Sequence, residues 1–143
     1  MCLQVVEDVF TEPATFGIGY KFFLLGPSGE LQSPSWVSGH VPMKEGEWLV
    51  DEKKLILTSS WTEKFQREYP SGFHLFINKE DALKNMNYFN DSSTEDHQFT
   101  LRRVRYQEVL AMGTNLTTYN GQDERYGLCL VVRKLFIEAE GKE

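Results

Sequence analysis

The hydrophobic and polar positions of this chain form short apolar runs that are separated by turn residues. The clearest runs occupy residues 20–25, 73–77 and 126–137, and they are rich in aromatic and aliphatic side chains. Runs of this length and composition are typical of β-strands. Residues 128–132 are apolar at every position, which predicts a central strand covered on both faces.

Turn residues indicate where the chain reverses direction. Gly26-Pro27-Ser28-Gly29 predicts a turn that leads into a return strand at 30–33. Asn120-Gly121 predicts a hairpin at the centre of a turn-rich loop at 117–125. Further strands are predicted at 48–50, 55–57, 99–106 and 108–112, the last two joined by a kink or bulge. Loops are predicted at 34–45 and 90–98, whereas the pattern at 59–71 is ambiguous.

One segment follows the helical period. Its apolar residues share one helical face and are Ala82, Leu83, Met86 and Phe89. Asn78 precedes it as a favourable N-cap, and Glu80 and Asp81 occupy the first turn, where the helix dipole favours acidic side chains. The sequence therefore predicts one short helix from residue 79 to about residue 89.

These elements predict an α+β fold that is rich in β-structure, with mostly antiparallel sheets and one short helix. No repeat, linker or low-complexity segment divides residues 1–143, so we expect a single domain. Residues 1–16 are predicted to form a strand or an extended arm, and residues 138–143 a frayed acidic tail.

Composition limits the classes of protein that fit. The chain has 143 residues, of which 41% are hydrophobic, enough to build one core. Its longest apolar runs are far shorter than the roughly 20 residues of a membrane-spanning helix. Its formal net charge of −6 argues against nucleic acid or an acidic membrane surface as a partner.

The N-terminal sequence and the cysteine content indicate a compartment. The first residues lack the basic and apolar regions of a secretory signal. The cysteines are Cys2 and Cys129, fewer than a disulfide-stabilised secreted domain uses. We therefore expect an acidic cytoplasmic protein with free thiols.

No motif for a metal or a cofactor is recognisable. His40, His74 and His97 have no second ligand at a metal-binding spacing, and Gly17-Ile18-Gly19 precedes a strand, the wrong order for a dinucleotide turn. The sequence therefore predicts neither. His74 is of interest because it lies within an apolar strand, where a half-buried structural histidine is the simplest interpretation.

Arg102, Arg103 and Arg105 form a basic cluster within a predicted strand. Strand alternation places Arg103 and Arg105 on one face and Arg102 on the other. Two interpretations remain open. The cluster is either a solvated strand that pairs with the acidic loop at 91–96, or a site for a phosphate or an acidic ligand.

Several motifs resemble those of small uncharacterised domains. They are Gly19-Tyr20-Lys21-Phe22-Phe23, Glu47-Trp48, and Gly72-Phe73-His74-Leu75-Phe76 leading into Glu80-Asp81-Ala82-Leu83. The resemblance, to domains with a GYKxF strand and a GFHxF…EDA strand-to-helix step, covers about residues 17–137. It implies an architecture and no established activity.

A second resemblance is to ADP-ribosyltransferases. It rests on the strand at 72–76 followed by Ala82 and Tyr88, and on Gln122-Asp123-Glu124 before the last strand. The resemblance implies that Glu124 would stabilise an oxocarbenium-like ribose. The first motif of that family, an arginine or a His-Gly pair, is missing, and Lys21 stands in its place.

Two functional hypotheses follow. The first is a non-enzymatic binding or interaction module that recognises an unknown small ligand or protein partner through an aromatic-lined cleft. The alternative is an ADP-ribosyltransferase-like or other small-molecule enzyme, with unknown catalytic residues and a pocket near His74 and Glu124. Convergence of His74, Glu124 and Tyr20 within hydrogen-bond reach of one substrate would favour the enzyme. The candidate ligand-binding residues are Tyr20, Lys21, Trp48, His74 and Glu124.

Self-association is a third possibility. It would apply if the apolar strand at 128–132 lay at an exposed sheet edge.

Overall fold

The described part of the chain folds into antiparallel β-strands and one helix. The computed structural model describes residues 5–9, 16–32, 42–51, 57–59, 68–70, 72–92, 98–119 and 122–141. The strands are β1 (Val5–Val9), β2 (Phe16–Leu25), β3 (Leu31–Gln32), β4 (Pro42–Met43), β5 (Trp48–Val50), β6 (Leu57–Ser59), β7 (Glu68–Pro70), β8 (Phe73–Phe76), β9 (Phe99–Tyr119) and β10 (Gln122–Ile137). The helix α1 spans Lys79–Ser92.

The long β9–β10 hairpin organises the sheet. Strands β2 and β1 pair in succession along one edge of β9, and β8 and β5 pair along the outer edge of β10. A single bridge between Tyr20 and Phe76 joins β2 to β8. The strands β2, β9, β10 and β8 therefore form a closed ring, which we call the strand ring. Every described pairing is antiparallel, and this β-rich α+β architecture confirms the predicted fold class.

Strand alternation gives the ring two apolar faces. The inner face carries side chains from all four strands, including Phe23, Leu75, Val104, Leu130 and Leu135. The outer face packs through Phe22, Phe76, Cys129 and Val131 against Ala82 of α1. Because β10 contributes to both clusters, its segment at 129–132 is buried on both faces, as the continuous apolar run predicts.

The helix begins as predicted. The Glu80 backbone N–H donates to Oδ1 of Asn78 at 2.9 Å, which makes Asn78 the N-cap. Ala82 and Met86 face the sheet. The predicted start of the loop at Asn90 is wrong, because residues 90–92 are helical. Polar residues there cost a helix only a few tenths of a kcal/mol each, and no glycine or proline ends it earlier.

The β9–β10 hairpin is longer than predicted. Residues 117–119 and 122–125 are paired strands, so the predicted loop at 117–125 is wrong, and only two residues, which lie outside the described ranges, connect the strands. The predicted kink in β9 is confirmed. Glu108 has a φ of 60°, and the register shifts opposite Val131 and Val132.

Three other predictions are refined. Residues 5–9 form a strand paired with β9, which is one of the two alternatives predicted for residues 1–16. Pro42 and Met43, placed in a predicted loop, pair with β3. The apolar segment at 129–132 pairs with β9 on one edge and with β8 on the other. The hypothesis that the protein self-associates through an exposed edge of this segment is therefore wrong. Residues 55–56 and most of 59–71 lie outside the described ranges. Within those ranges, no helix is long and apolar enough to cross a membrane.

Candidate functional site

Three of the predicted site residues meet where β2 joins β8. The Lys21 ammonium donates a hydrogen bond to the backbone carbonyl of His74 at 2.6 Å. Tyr20 lies opposite Phe76 in the bridge between the two strands. This junction closes the strand ring, so the contact between Lys21 and His74 supports the fold at a point where only one backbone bridge is present.

Burial lowers the pKa of both Lys21 and His74 at the junction. Lys21 is only 4% exposed, and loss of hydration lowers the pKa of its ammonium from 10.5 to about 8. The same effect, with Lys21 adding positive charge, holds the pKa of His74 well below its usual range. The half-buried position of His74 agrees with the structural interpretation.

Glu124 lies on a part of the sheet that is distant from the junction of Tyr20, Lys21 and His74. The register places Glu124 opposite Thr117, whereas Val131 lies opposite His74. These positions on β10 are seven residues apart. That separation corresponds to about 20 Å along the strand. The sheet thus gives no support to an enzyme pocket that combines His74 with Glu124.

Trp48 lies on a different part of the molecule. Trp48 of β5 lies opposite Phe136 of β10. On the next strand, β9, Arg105 lies opposite Phe136, and Ile18 of β2 lies opposite Arg105. Directly opposed residues in antiparallel strands share one face, so these four side chains form a row across four strands. The rings of Trp48 and Phe136 lie 5.6 Å apart, and the Arg105 guanidinium lies 5.6 Å from the Phe136 ring centroid.

A second row lies beside the first. Its members follow from the same register and are Val50, Lys134, Gln107 and Phe16. Each of them is two residues from a member of the first row, so both rows occupy the same face of the sheet. We call these eight residues the open face.

The open face is largely exposed although five of its eight residues are apolar. Phe16 is 79% exposed, Ile18 51%, Val50 45% and Trp48 43%. Scattered exposed apolar residues are ordinary on protein surfaces, whereas a contiguous apolar group marks an interaction site. The register makes this group contiguous.

Glu138 lies between the open face and the part of the sheet that α1 covers. Its carboxylate accepts hydrogen bonds from Nε of Arg103 at 2.5 Å and from Nε of Arg105 at 2.9 Å. The hydrogen bond from Arg103, supported by Arg105, lowers the pKa of Glu138 below its usual value. Glu138, the first residue of the predicted acidic tail, is thus buried and paired.

The arginine cluster divides between the two faces as alternation predicts. Arg103 and Arg105 bind Glu138, whereas Nη1 of Arg102 donates to Oε2 of Glu45 and to the Glu138 carbonyl. These carboxylates come from sequence positions distant from the arginines. Of the acidic loop proposed as partner, residues 91–92 belong to α1 and 93–96 lie outside the described ranges.

Sequence reasoning found Trp48 but missed its companions on the open face. Phe16, Ile18, Val50 and Phe136 were absent from the predicted site, as was Glu138. A local signal existed, since Phe16 and Ile18, like Trp48 and Val50, are apolar residues two positions apart. Only the register shows that such pairs from different strands lie together.

Comparisons of the chain with family models, with curated proteins and with solved structures find no match. The two family resemblances therefore stay predictions. Among the side chains that the structure describes, no group of three or more His, Cys, Asp or Glu residues could hold a metal ion.

Proposed function

We propose that this protein is a non-enzymatic binding module that recognises a protein partner through its open face. The observation that carries the proposal is the alignment of Trp48, Phe136, Arg105 and Ile18 in one row across four strands, in which Trp48, Arg105 and Ile18 are exposed and Phe136 is half-buried. Tryptophan, phenylalanine and arginine are enriched in protein–protein interfaces, and tryptophan and arginine supply many of their strongest contacts.

The exposure of the open face favours a protein over a small molecule. Small-molecule sites are concave and enclose most of the ligand surface. Four of the five apolar side chains of the open face are instead exposed, and Phe16 is the most exposed of them. Four strands spaced about 4.8 Å apart give a row roughly 15 Å wide, a dimension that a helix or an extended segment of a partner would cover.

A cytoplasmic location is part of the proposal. The chain has only two cysteines, and Cys129 is buried between the sheet and α1. Such use of cysteine is typical of proteins that fold in a reducing compartment.

Site-specific photo-crosslinking in the native cell tests the proposal. A photoreactive amino acid would replace Ile18 on the open face or, as a matched control, Ile77, which is also exposed but follows β8 outside the open face. We expect a protein that crosslinks at position 18 and not at position 77. That protein, purified, should bind Trp48→Ser at least about tenfold more weakly than wild type, and Ile77→Ser with unchanged affinity.

Two results would overturn the proposal. One is that position 18 yields no crosslinked protein beyond those at position 77. The other is that the crosslinked protein binds Trp48→Ser as tightly as wild type. Thermal unfolding of each variant would test whether the substitution leaves the fold intact, which we expect because Trp48 belongs to neither core cluster.

A further inference from the structure

We propose that the partner segment bound by the open face carries a side-chain carboxylate, flanked by apolar residues, that pairs with the guanidinium of Arg105. This inference rests on the proposed function and names the chemistry of the partner. It would make Arg105 the residue that selects among apolar segments, with Trp48 and Ile18 providing apolar contact on either side of it.

The charge of the open face differs from that of the chain as a whole. The chain has a formal net charge of −6, yet the eight residues of the open face include two cations, Arg105 and Lys134, and no acidic residue. Lys134 lies 3.5 Å from the carboxylate of Glu108, which offsets its charge. Arg105 is therefore the cation best placed to meet an acidic group on a partner.

Arg105 retains hydrogen-bonding capacity for that group. A guanidinium has five N–H donors. In the part of the chain that the structure describes, Arg105 uses only Nε, which donates to Glu138 at 2.9 Å. The side chain is 58% exposed, so the Nη groups remain accessible to a carboxylate from outside, a group that arginine binds in a two-pronged geometry.

Two contacts hold Arg105 in place before a partner arrives. Glu138 fixes its Nε, and the ring of Phe136 lies against the guanidinium. A side chain that is already ordered loses less conformational entropy on binding, so the contact contributes more to affinity. Glu138 itself is only 5% exposed and is directed at Arg103 and Arg105, which keeps its negative charge away from the partner side.

The same charges argue against a second copy of the chain and against nucleic acid. A two-fold contact centred on the open face would bring Arg105 of one copy towards Arg105 of the other, and like charges at an interface are unfavourable. A polyanion would need several unpaired cations, whereas the described open face offers one guanidinium with spare donors in an acidic protein.

Selection from a random library of 12-residue displayed peptides tests the inference. Wild-type protein and the Arg105→Gln variant would each be used as bait. We expect the peptides enriched by wild type to carry Asp or Glu between apolar residues, and those enriched by Arg105→Gln to keep the apolar residues without the acid. Lys84→Gln removes the same charge from an exposed position on α1 and should enrich the same peptides as wild type.

Titration of one enriched peptide measures the contact directly. Replacing its acidic residue with the corresponding amide should weaken binding to wild type about tenfold, the size expected for a charged hydrogen bond. The same replacement should change binding to Arg105→Gln by less than about twofold. Arg105→Lys, which keeps the charge but loses the two-pronged geometry, should show an intermediate effect.

The outcomes separate the inference from the proposed function. Peptides that require Trp48 and Ile18 but show no acidic preference would overturn the inference and leave the binding module in place. Peptides that bind a Trp48→Ser variant as tightly as wild type would count against both the inference and the proposed function. A phosphoserine peptide that binds wild type more than about tenfold tighter than its aspartate counterpart would also overturn the inference, because the group that Arg105 binds would then be a phosphate.

Discussion

Arg105 Nε lies 2.9 Å from Oε1 of Glu138, although the two residues are 33 positions apart in the chain. This contact joins the end of β10 to the middle of β9 and orients the guanidinium over Phe136. Because Arg103 donates to the other oxygen of the same carboxylate, one acidic residue organises the edge of the open face.

Replacing Glu138 with Gln should destabilise the protein in a pH-dependent manner. The folded state lowers the pKa of Glu138, mainly through its hydrogen bond from Arg103. The Glu138 carboxylate therefore stabilises the fold fully at pH values above 4.5, its pKa in the unfolded chain. This contribution is lost as the pH falls through the lower pKa of the folded protein. At pH 7 we expect Glu138→Gln to reduce the free energy of unfolding by about 1–2 kcal/mol.

Urea unfolding of wild type and Glu138→Gln between pH 7 and pH 3 would measure this effect. The difference between the two should shrink as the pH falls below about 4.5. Glu140→Gln, at an exposed position two residues away, should follow wild type throughout. A constant difference across the whole range would contradict the assigned role of the Glu138 charge.

Replacing Lys21 with Met should remove a rise in stability at alkaline pH. Burial lowers the pKa of Lys21 in the folded protein from 10.5 to about 8. Between these values the unfolded chain binds the additional proton, so the stability of wild type should increase as the pH rises from about 8 to 10.5. The full increase is on the order of 3 kcal/mol, since each pKa unit corresponds to about 1.4 kcal/mol.

Urea unfolding between pH 7 and 10.5 in the presence of a reductant would measure the slope. Lys21→Met should lack the rise, whereas Lys84→Met, at an exposed helix position, should retain it. Tyr106 contributes an opposite slope in both proteins, because burial raises its pKa and the unfolded chain loses that proton first. Parallel curves for wild type and Lys21→Met would show that the Lys21 ammonium is not held inside the fold.

Replacing Gly127 with Ala should destabilise the protein more than the same change at Gly29. Both glycines have positive φ, 60° at Gly127 and 81° at Gly29, where an alanine costs about 1–2 kcal/mol. At Gly127 an added Cβ would also lie 2.4 Å from Cβ of Asp81 in α1, whereas nothing lies within 4 Å at Gly29. Gly29→Ala thus isolates the backbone cost.

Thermal and urea unfolding of the two alanine variants would separate these contributions. We expect Gly127→Ala to lose at least about 1 kcal/mol more than Gly29→Ala, because Asp81 Cβ is fixed by the helix backbone and cannot move aside freely. Equal losses would mean that α1 shifts away from β10 without cost.

Replacing Asn78 with Ala should weaken the start of α1. The substitution removes the acceptor of the Glu80 N–H, at a cost of about 1 kcal/mol in the free energy of unfolding. Asn78→Asp keeps an acceptor oxygen and should remain close to wild type. The prediction fails if both variants unfold at the same urea concentration as wild type.

Local chemistry determined the elements that sequence reasoning placed correctly. Asn78 caps the helix that follows it, and the turn at 26–29 is closed by a hydrogen bond from the Gly29 N–H to the Gly26 carbonyl at 3.0 Å. The strand at 73–76 also follows from its own residues. In each case the residues that decide the conformation are neighbours in the chain, so the sequence displays them directly.

The candidate site was predictable only in part. Tyr20, Lys21 and His74 do meet, because two short strands join at that point. Glu124 and Trp48 belong to other regions of the sheet, since strand register determines their neighbours and register depends on pairing between distant segments.

By itself, the sequence determined the strands at 20–25 and 73–76, the helix with its cap, and the separation of Arg102 from Arg103 and Arg105. Tertiary structure alone decided that Glu138 is buried and that Ile18, Trp48, Arg105 and Phe136 from four strands form one row. The physical reason is the range of the interactions. Hydrogen bonds within a turn or cap link residues two to four positions apart, whereas Ile18 and Phe136 share a face only because two strands pair with β9 in a specific register.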